Sequence, residues 1–230
     1  MKIVAYTPAD KGHDEDFRRL ETSLRKFHSE KELPLLRFDN PNPVDKNWWY
    51  RATPILATKL FAEGYDTLVK LDADQIITGS LEGIWDGDFD VATVFNDPTY
   101  PIQVWDINPY YNNGLVVIKS SEFASHWMRL CFSEHFDRYQ FREQDILNIL
   151  ASNYHNYKIK QLEANAVYGE SAKALWSTSF IKDNKLFVKH NEKEVPVNVI
   201  HFGGGNTPDK GNYRIRFPEP VIEYIDKLIK

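Results

Sequence analysis

Apolar positions along the chain fall into short β-branched runs and helix-spaced patterns that take turns, and this alternation predicts an α/β fold. Residues 2–6 form a first strand, and 7–12, with Pro8 and Gly12, a loop leaving its C-terminal end, where open α/β sheets place ligands. Phe17, Leu20, Leu24 and Phe27 then recur at helical spacing and lead to a second strand over 35–38. This is a βαβ opening. Thr53-Pro54 has the chemistry of a helix start, Thr capping and Pro in the first turn, and Gly64 is placed to end that helix. The next strand lies in the run 65–79, where Thr67, Val69 and Leu71 favour strand and Asp72 and Asp74 interrupt the apolar pattern.

Beyond it, 81–85 makes a short helix and 89–95 another strand. Asn112-Asn113-Gly114 precedes a strand over 115–118, Ser120 or Ser121 caps a helix bearing Phe123, Trp127 and Leu130, and a further helix carries Glu143, Gln144, Asp145 and Asn148. Residues 197–202 read as a strand running into Gly203-Gly204-Gly205-Asn206, and Val221, Ile222, Ile225, Leu228 and Ile229 give a closing amphipathic helix. Residues 96–113 fit neither period. With Pro98, Pro101 and Pro109 among Tyr100, Trp105, Tyr110 and Tyr111, they form a long ring-rich loop, either a binding loop or one pinned to the core by its aromatics. For the rings of Trp48, Trp49 and Tyr50 packing is the simpler role.

Composition narrows the picture. At 230 residues the chain suits one domain, 1–230, with a real core. A net charge of -5 leaves no general basic surface for a nucleic acid backbone. The single cysteine, Cys131, falls in an apolar pattern with Phe123, Trp127 and Leu130 and so reads as buried. No run of 18 apolar residues exists to span a membrane, and the first strand starts at once without a signal segment. The expectation is a cytoplasmic protein without a membrane span.

The candidate chemistry sits on Asp72 and Asp74. On a strand, residues i and i+2 face the same way, roughly 7 Å apart at Cα. Two buried carboxylates need a balancing cation, and Mg²⁺ or Mn²⁺, held by carboxylates with positions left for a diphosphate, is the simplest. The alternative is a turn in which Asp caps backbone amides. His201, at a strand end before three glycines, offers a ring nitrogen while the glycines let backbone amides approach a phosphate; a structural histidine fits equally.

Taken in order, Leu71-Asp72-Ala73-Asp74, Tyr111-Asn112-Asn113-Gly114, Glu143-Gln144-Asp145-Ile146-Leu147-Asn148 and His201-Phe202-Gly203 resemble family 8 glycosyltransferases over nearly the whole chain. The resemblance implies a GT-A fold, that is, a Rossmann-like mixed sheet flanked by helices. It also implies a nucleotide-sugar donor, usually a UDP-sugar, a Mn²⁺ ion and transfer to an acceptor with retention of anomeric configuration. By position, Asp72 and Asp74 match the metal-binding aspartates, His201 the third ligand, and Ala73 the residue between. Asn112 matches an asparagine facing the donor sugar, and Glu143 and Gln144 an Asp-Gln pair beside the reacting carbon. Ala5, Tyr6 and Thr7 lie where the first strand meets the base, and Lys59 on a helix presenting a basic residue to the donor. Gly203 falls in the family's His-x-x-Gly segment. Thr207 stands where the family has a lysine on the donor phosphate, and Lys210 is the candidate substitute.

Three rivals remain at this stage. A nucleotidyltransferase needs a Gly-rich loop after the first strand, which Tyr6-Thr7-Pro8-Ala9 lacks. A phosphatase with an aspartyl nucleophile would carry it on the first strand. A degenerate sugar-binding protein would keep the cation site without turnover.

Overall fold

The computed structural model describes residues 1–9, 11–42, 45, 47–95, 109–134, 136–139, 141–152, 156–162, 166–167, 178–190, 192–201 and 217–230. The expected βαβ opening is present: β1 (Ile3–Pro8), α1 (Asp14–Arg25) and β2 (Leu35–Phe38), with β1 and β2 parallel and Ala5 opposite Leu35. Next come α2 (Trp48–Ala62), β3 (Thr67–Leu71), β4 (Gln75–Ile77), β5 (Val91–Phe95) and β6 (Tyr111–Ile118). They are followed by α3 (Ser121–Cys131), α4 (Glu143–Ala151), β7 (Ile159–Leu162) and β8 (Ala166–Val167). The last elements are β9 (Phe180–Lys182), β10 (Lys185–His190), β11 (Lys193–Pro196), β12 (Val199–His201) and α5 (Glu219–Leu228).

The main sheet runs β2-β1-β3-β6-β5-β7 and is mixed, β3 and β5 both lying antiparallel to β6. Two three-stranded sheets accompany it, β11-β10-β9 and β4-β12-β8. Strand alternation sorts the main sheet onto two cores. Val4, Tyr6, Leu68, Val116 and Ile118 pack against α2, α3 and α4 through Leu60, Trp127 and Leu147. Ala5, Val69, Leu71, Leu115 and Val117 pack against Leu20 and Leu24 of α1. Helices therefore cover both faces, as a central strand buried at every position, like β3, requires.

Several local expectations are revised. Helix α2 begins at Trp48, and Pro54 lies inside it. Burial of Trp48, Ala52 and Leu56 on one stripe extends the helix upstream and outweighs the backbone bond that proline omits. Its end is as read, Gly64 taking φ +86 just after it. Residues 81–85 make turns, with the Ile84 amide donating to the Leu81 carbonyl at 3.3 Å, and no helix. Asn112-Asn113-Gly114 lies within β6, whose register against β5 slips between Thr93 and Val94. The Thr93 hydroxyl donates to the Asn112 carbonyl at 2.6 Å within this bulge. Ser120 is the cap of α3, its hydroxyl accepting from the Phe123 amide at 3.1 Å. Cys131 is buried as expected, and burial pushes its thiol up. Among the described residues no helix is long and apolar enough to cross a membrane.

Candidate active site

Asp72 and Asp74 come together by a turn rather than by strand alternation. β3 stops at Leu71, and the Gln75 amide donates to the Asp72 carbonyl at 3.1 Å, closing a four-residue turn before β4. Asp72 is held from the other side, its amide donating to the Gly114 carbonyl at 3.1 Å. β4 then pairs antiparallel with β12, and Gln75 opposite His201 brings the imidazole over the turn. His201 Nε2 lies 3.2 Å from Asp72 Oδ2 and 3.2 Å from Asp74 Oδ1. The His201 side chain is 8% exposed and the two carboxylates 29% and 24%, so the cluster opens to solvent on its carboxylate side.

Its charges are set by this crowding. Burial alone would lower the His201 imidazole, but Asp74 and Asp72 outweigh it and push it up to about 10. Burial would raise the Asp72 carboxyl, and the Lys70 ammonium and His201 together hold it at about 2. The three ligand atoms lie within 4.8 Å of one another. The two carboxylate oxygens suit Mn²⁺ or Mg²⁺, and the imidazole nitrogen favours Mn²⁺, the softer of the two.

The imidazole is fixed by a close approach. A Cβ on Gly114 would stand 2.5 Å from His201 Cε1, 2.6 Å from Nδ1 and 2.8 Å from Asn112 Oδ1, so only glycine fits under the ring.

The second group of candidates belongs to α4, whose first turn carries Glu143 and Gln144. Asn113 joins it to the sheet: its amide donates to Gln144 Oε1 at 3.2 Å, and its Nδ2 to Glu143 Oε1 at 2.9 Å. Asn148 locks the same contact, accepting from the Tyr111 amide at 2.5 Å and donating to its carbonyl at 2.8 Å. Gln144 Nε2 donates to the Tyr110 hydroxyl at 3.3 Å. Glu143 Oε2 is buried with no partner among the described residues. Burial pushes this carboxyl up to about 8, against its own backbone amide, Lys70 and Asn113, with Asp72 adding to the rise.

A folded acid whose pKa is raised binds its proton more tightly than the unfolded chain does. Its stabilisation is complete below the usual carboxylate range and is lost as pH climbs towards 8. Glu143→Gln keeps an oxygen for Asn113 and removes that titration. Measured by thermal unfolding in EDTA, the variant should gain stability relative to wild type as pH rises from about 5 to about 8.5. A difference that stays flat across this range would assign no such proton to Glu143.

The remaining candidates divide. Ala73 lies buried in the turn. The Asn112 side chain is occupied locally, its Oδ1 accepting from the Gly114 amide at 2.7 Å. Ala5, Tyr6 and Thr7 are fully buried, and the Tyr6 hydroxyl donates to the Thr53 carbonyl at 3.0 Å, so its ring belongs to the α2 core. Lys59 pairs with Glu63 at 3.9 Å and lies over the Phe38 ring, neither of them in the cluster. Gly203, Thr207 and Lys210, and residues 96–108 of the ring-rich loop with Trp105, lie outside the described residues. Reading the chain gave no site role to Lys70, Asn113 or Gly114, although the last two stand in the Asn112-Asn113-Gly114 motif. A lone lysine in the strand Thr-Leu-Val-Lys-Leu is a visible signal for the first of these.

No family model matches this chain, and no curated protein does at a significant level. Solved structures do. A galactosyltransferase, LgtC, solved in complex with donor and acceptor sugar analogs, matches at 16% identity and TM-score 0.67 over 98% of this chain and 95% of its own. A glycosyltransferase involved in glycosylation of the major capsid of PBCV-1 matches at 10% identity and TM-score 0.62, covering 93% of this chain and 98% of that one. The bifunctional glycosyltransferase WbbM matches at 16% identity and TM-score 0.64, covering 97% of this chain and 49% of its own. With its six-stranded mixed sheet flanked by helices, this chain has the GT-A fold of those glycosyltransferases.

Proposed function

We propose that residues 1–230 form one glycosyltransferase domain that moves a sugar from a UDP-sugar to an acceptor with retention of anomeric configuration. The observation carrying this reading is the convergence of Asp72, Asp74 and His201 at the end of β3, with Glu143 and Gln144 tied to the same place through Asn113. A bound Mn²⁺ or Mg²⁺ would stabilise the negative charge that develops on the departing diphosphate. Asp72 Oδ2, Asp74 Oδ1 and His201 Nε2 are the atoms that would hold it. Positive charge arising on the sugar ring is eased by the Gln144 amide oxygen, and by Glu143 once it gives up the proton that burial makes it hold. Tyr110 and Asn113 keep that amide in one orientation.

Asn112 borders the donor sugar, the β1 backbone at Ala5, Tyr6 and Thr7 the base, and Gly203 and Lys210 the diphosphate. The ring-rich loop with Trp105 supplies the acceptor side.

Ligand-linked stabilisation tests the reading. A donor held at about 100 times its Kd adds about 2.7 kcal/mol, which for a chain of this size raises Tm by roughly 5–10 °C. The rise should need Mn²⁺ and a UDP-hexose together and vanish in EDTA. If no member of a UDP-hexose panel moves Tm with Mn²⁺ present, the donor assignment fails.

A further inference from the structure

Lys70 is 2% exposed, one residue before the end of β3 and beneath the candidate site. Alternation puts it on the face of β3 that Leu68 shares, towards α2, α3 and α4. An ammonium is tolerated at such a place only where oxygens surround it. Its Nζ donates to Asp72 Oδ1 and, at 2.6 Å, to the carbonyl of Asn113. Asp72 is thereby divided: Oδ1 belongs to Lys70, and Oδ2 faces His201 and Asp74. Asn113 is divided as well, its carbonyl on Lys70 and its amide and side chain on Gln144 and Glu143. One buried cation is therefore common to the aspartate cluster and to the Glu143-Gln144 turn.

We propose that Lys70 is a positioning residue for the reaction, an inference that rests on the glycosyltransferase reading above. It reserves Oδ1 so that Asp72 offers a single oxygen to a divalent cation, and it fixes the distance between that oxygen and the pair on α4. Its charge also repels a divalent cation. The arrangement exchanges cation affinity for geometry, because the bound cation meets one fixed oxygen of Asp72 instead of a freely turning carboxylate.

The consequence is a pair of opposite effects. Lys70→Met keeps the length of the side chain and removes the charge, and Lys70→Gln keeps a donor for the Asn113 carbonyl. In both, Mn²⁺ alone should bind at least tenfold more tightly than to wild type, read from the free Mn²⁺ signal in electron paramagnetic resonance. UDP release from UDP-hexoses at saturating Mn²⁺ should fall at least tenfold. Lys70→Arg should bind Mn²⁺ within about threefold of wild type. A purely structural lysine would lower binding and turnover together. Mn²⁺ binding that is unchanged or weaker in both neutral variants overturns the proposal, as does tighter binding with unchanged turnover. If wild type binds no Mn²⁺, the cation site falls and this inference with it. If Mn²⁺ binding responds as expected but wild type cleaves no donor, the glycosyltransferase reading fails while the hold of Lys70 on Asp72 stands.

Discussion

Asp74→Asn should lower Mn²⁺-dependent UDP release by about a thousandfold, about 4 kcal/mol of barrier, while the chain stays folded. Among the described residues Asp74 pairs in the cluster with His201, at 3.2 Å. Asparagine keeps its size and one oxygen, so the turn to Gln75 and the pairing of β4 with β12 have no reason to change. What is lost is one of the two negative charges that would hold a divalent cation. Removal of one preorganised electrostatic group from a reacting site commonly costs 10²–10³ in rate, and a metal ligand stands at the upper end. His201 would still pair with Asp72, so Tm should fall by only a few degrees. Steady-state UDP release with a Tm control decides it, and a variant with near wild-type turnover would take Asp74 out of the cation site.

Gly114→Ala should damage the same site from beneath. One methyl group there meets the His201 ring at 2.5 and 2.6 Å, closer than side chains pack, and the ring is buried at the end of β12. The Asn112 carboxamide at 2.8 Å blocks the other direction, since its oxygen holds the Gly114 amide. Overpacking of this kind typically costs about 1–3 kcal/mol, a fall in Tm of roughly 2–12 °C. If the ring gives way, Nε2 leaves the two carboxylates, and Mn²⁺ should bind at least tenfold more weakly. Calorimetry and Mn²⁺ titration on the same preparation test both halves. A variant that keeps wild-type Mn²⁺ affinity would show that Gly114 does not set the place of His201.

Much of the architecture was legible because it depends on local pattern. The strand of Ile3–Pro8, the amphipathic stripe of α1 and the fully buried run Thr67–Leu71 each declare themselves by period. The start of α2 was misread at Thr53-Pro54, since burial of Trp48 and Ala52 on one stripe is tertiary information that overrides capping chemistry. At the site, residue types were readable and geometry was not. Asp72 and Asp74 converge, but through a turn whose carbonyl-to-amide bond no strand alternation implies. His201 reaches them only because β12 pairs with β4.

Lys70 and Asn113 show the limit most clearly. Their contact joins positions 43 residues apart, and it exists because β6 bulges near Thr93 and because α4 packs its first turn onto that strand. The two faces of Asn113, backbone and side chain, are meaningful only once Glu143 is in place beside it. Tyr6 was placed near a base by resemblance; its ring packs in the core under α2, which leaves its backbone for that role.

The most direct measurement is UDP release by the wild-type chain from a panel of UDP-hexoses, run in parallel with Mn²⁺ and with EDTA. Asp72, Asp74 and His201 acting as one cation site predict cleavage of at least one donor in Mn²⁺ and none above background in EDTA. Equal rates in the two conditions, or no cleavage of any donor, would contradict a metal-dependent glycosyltransferase.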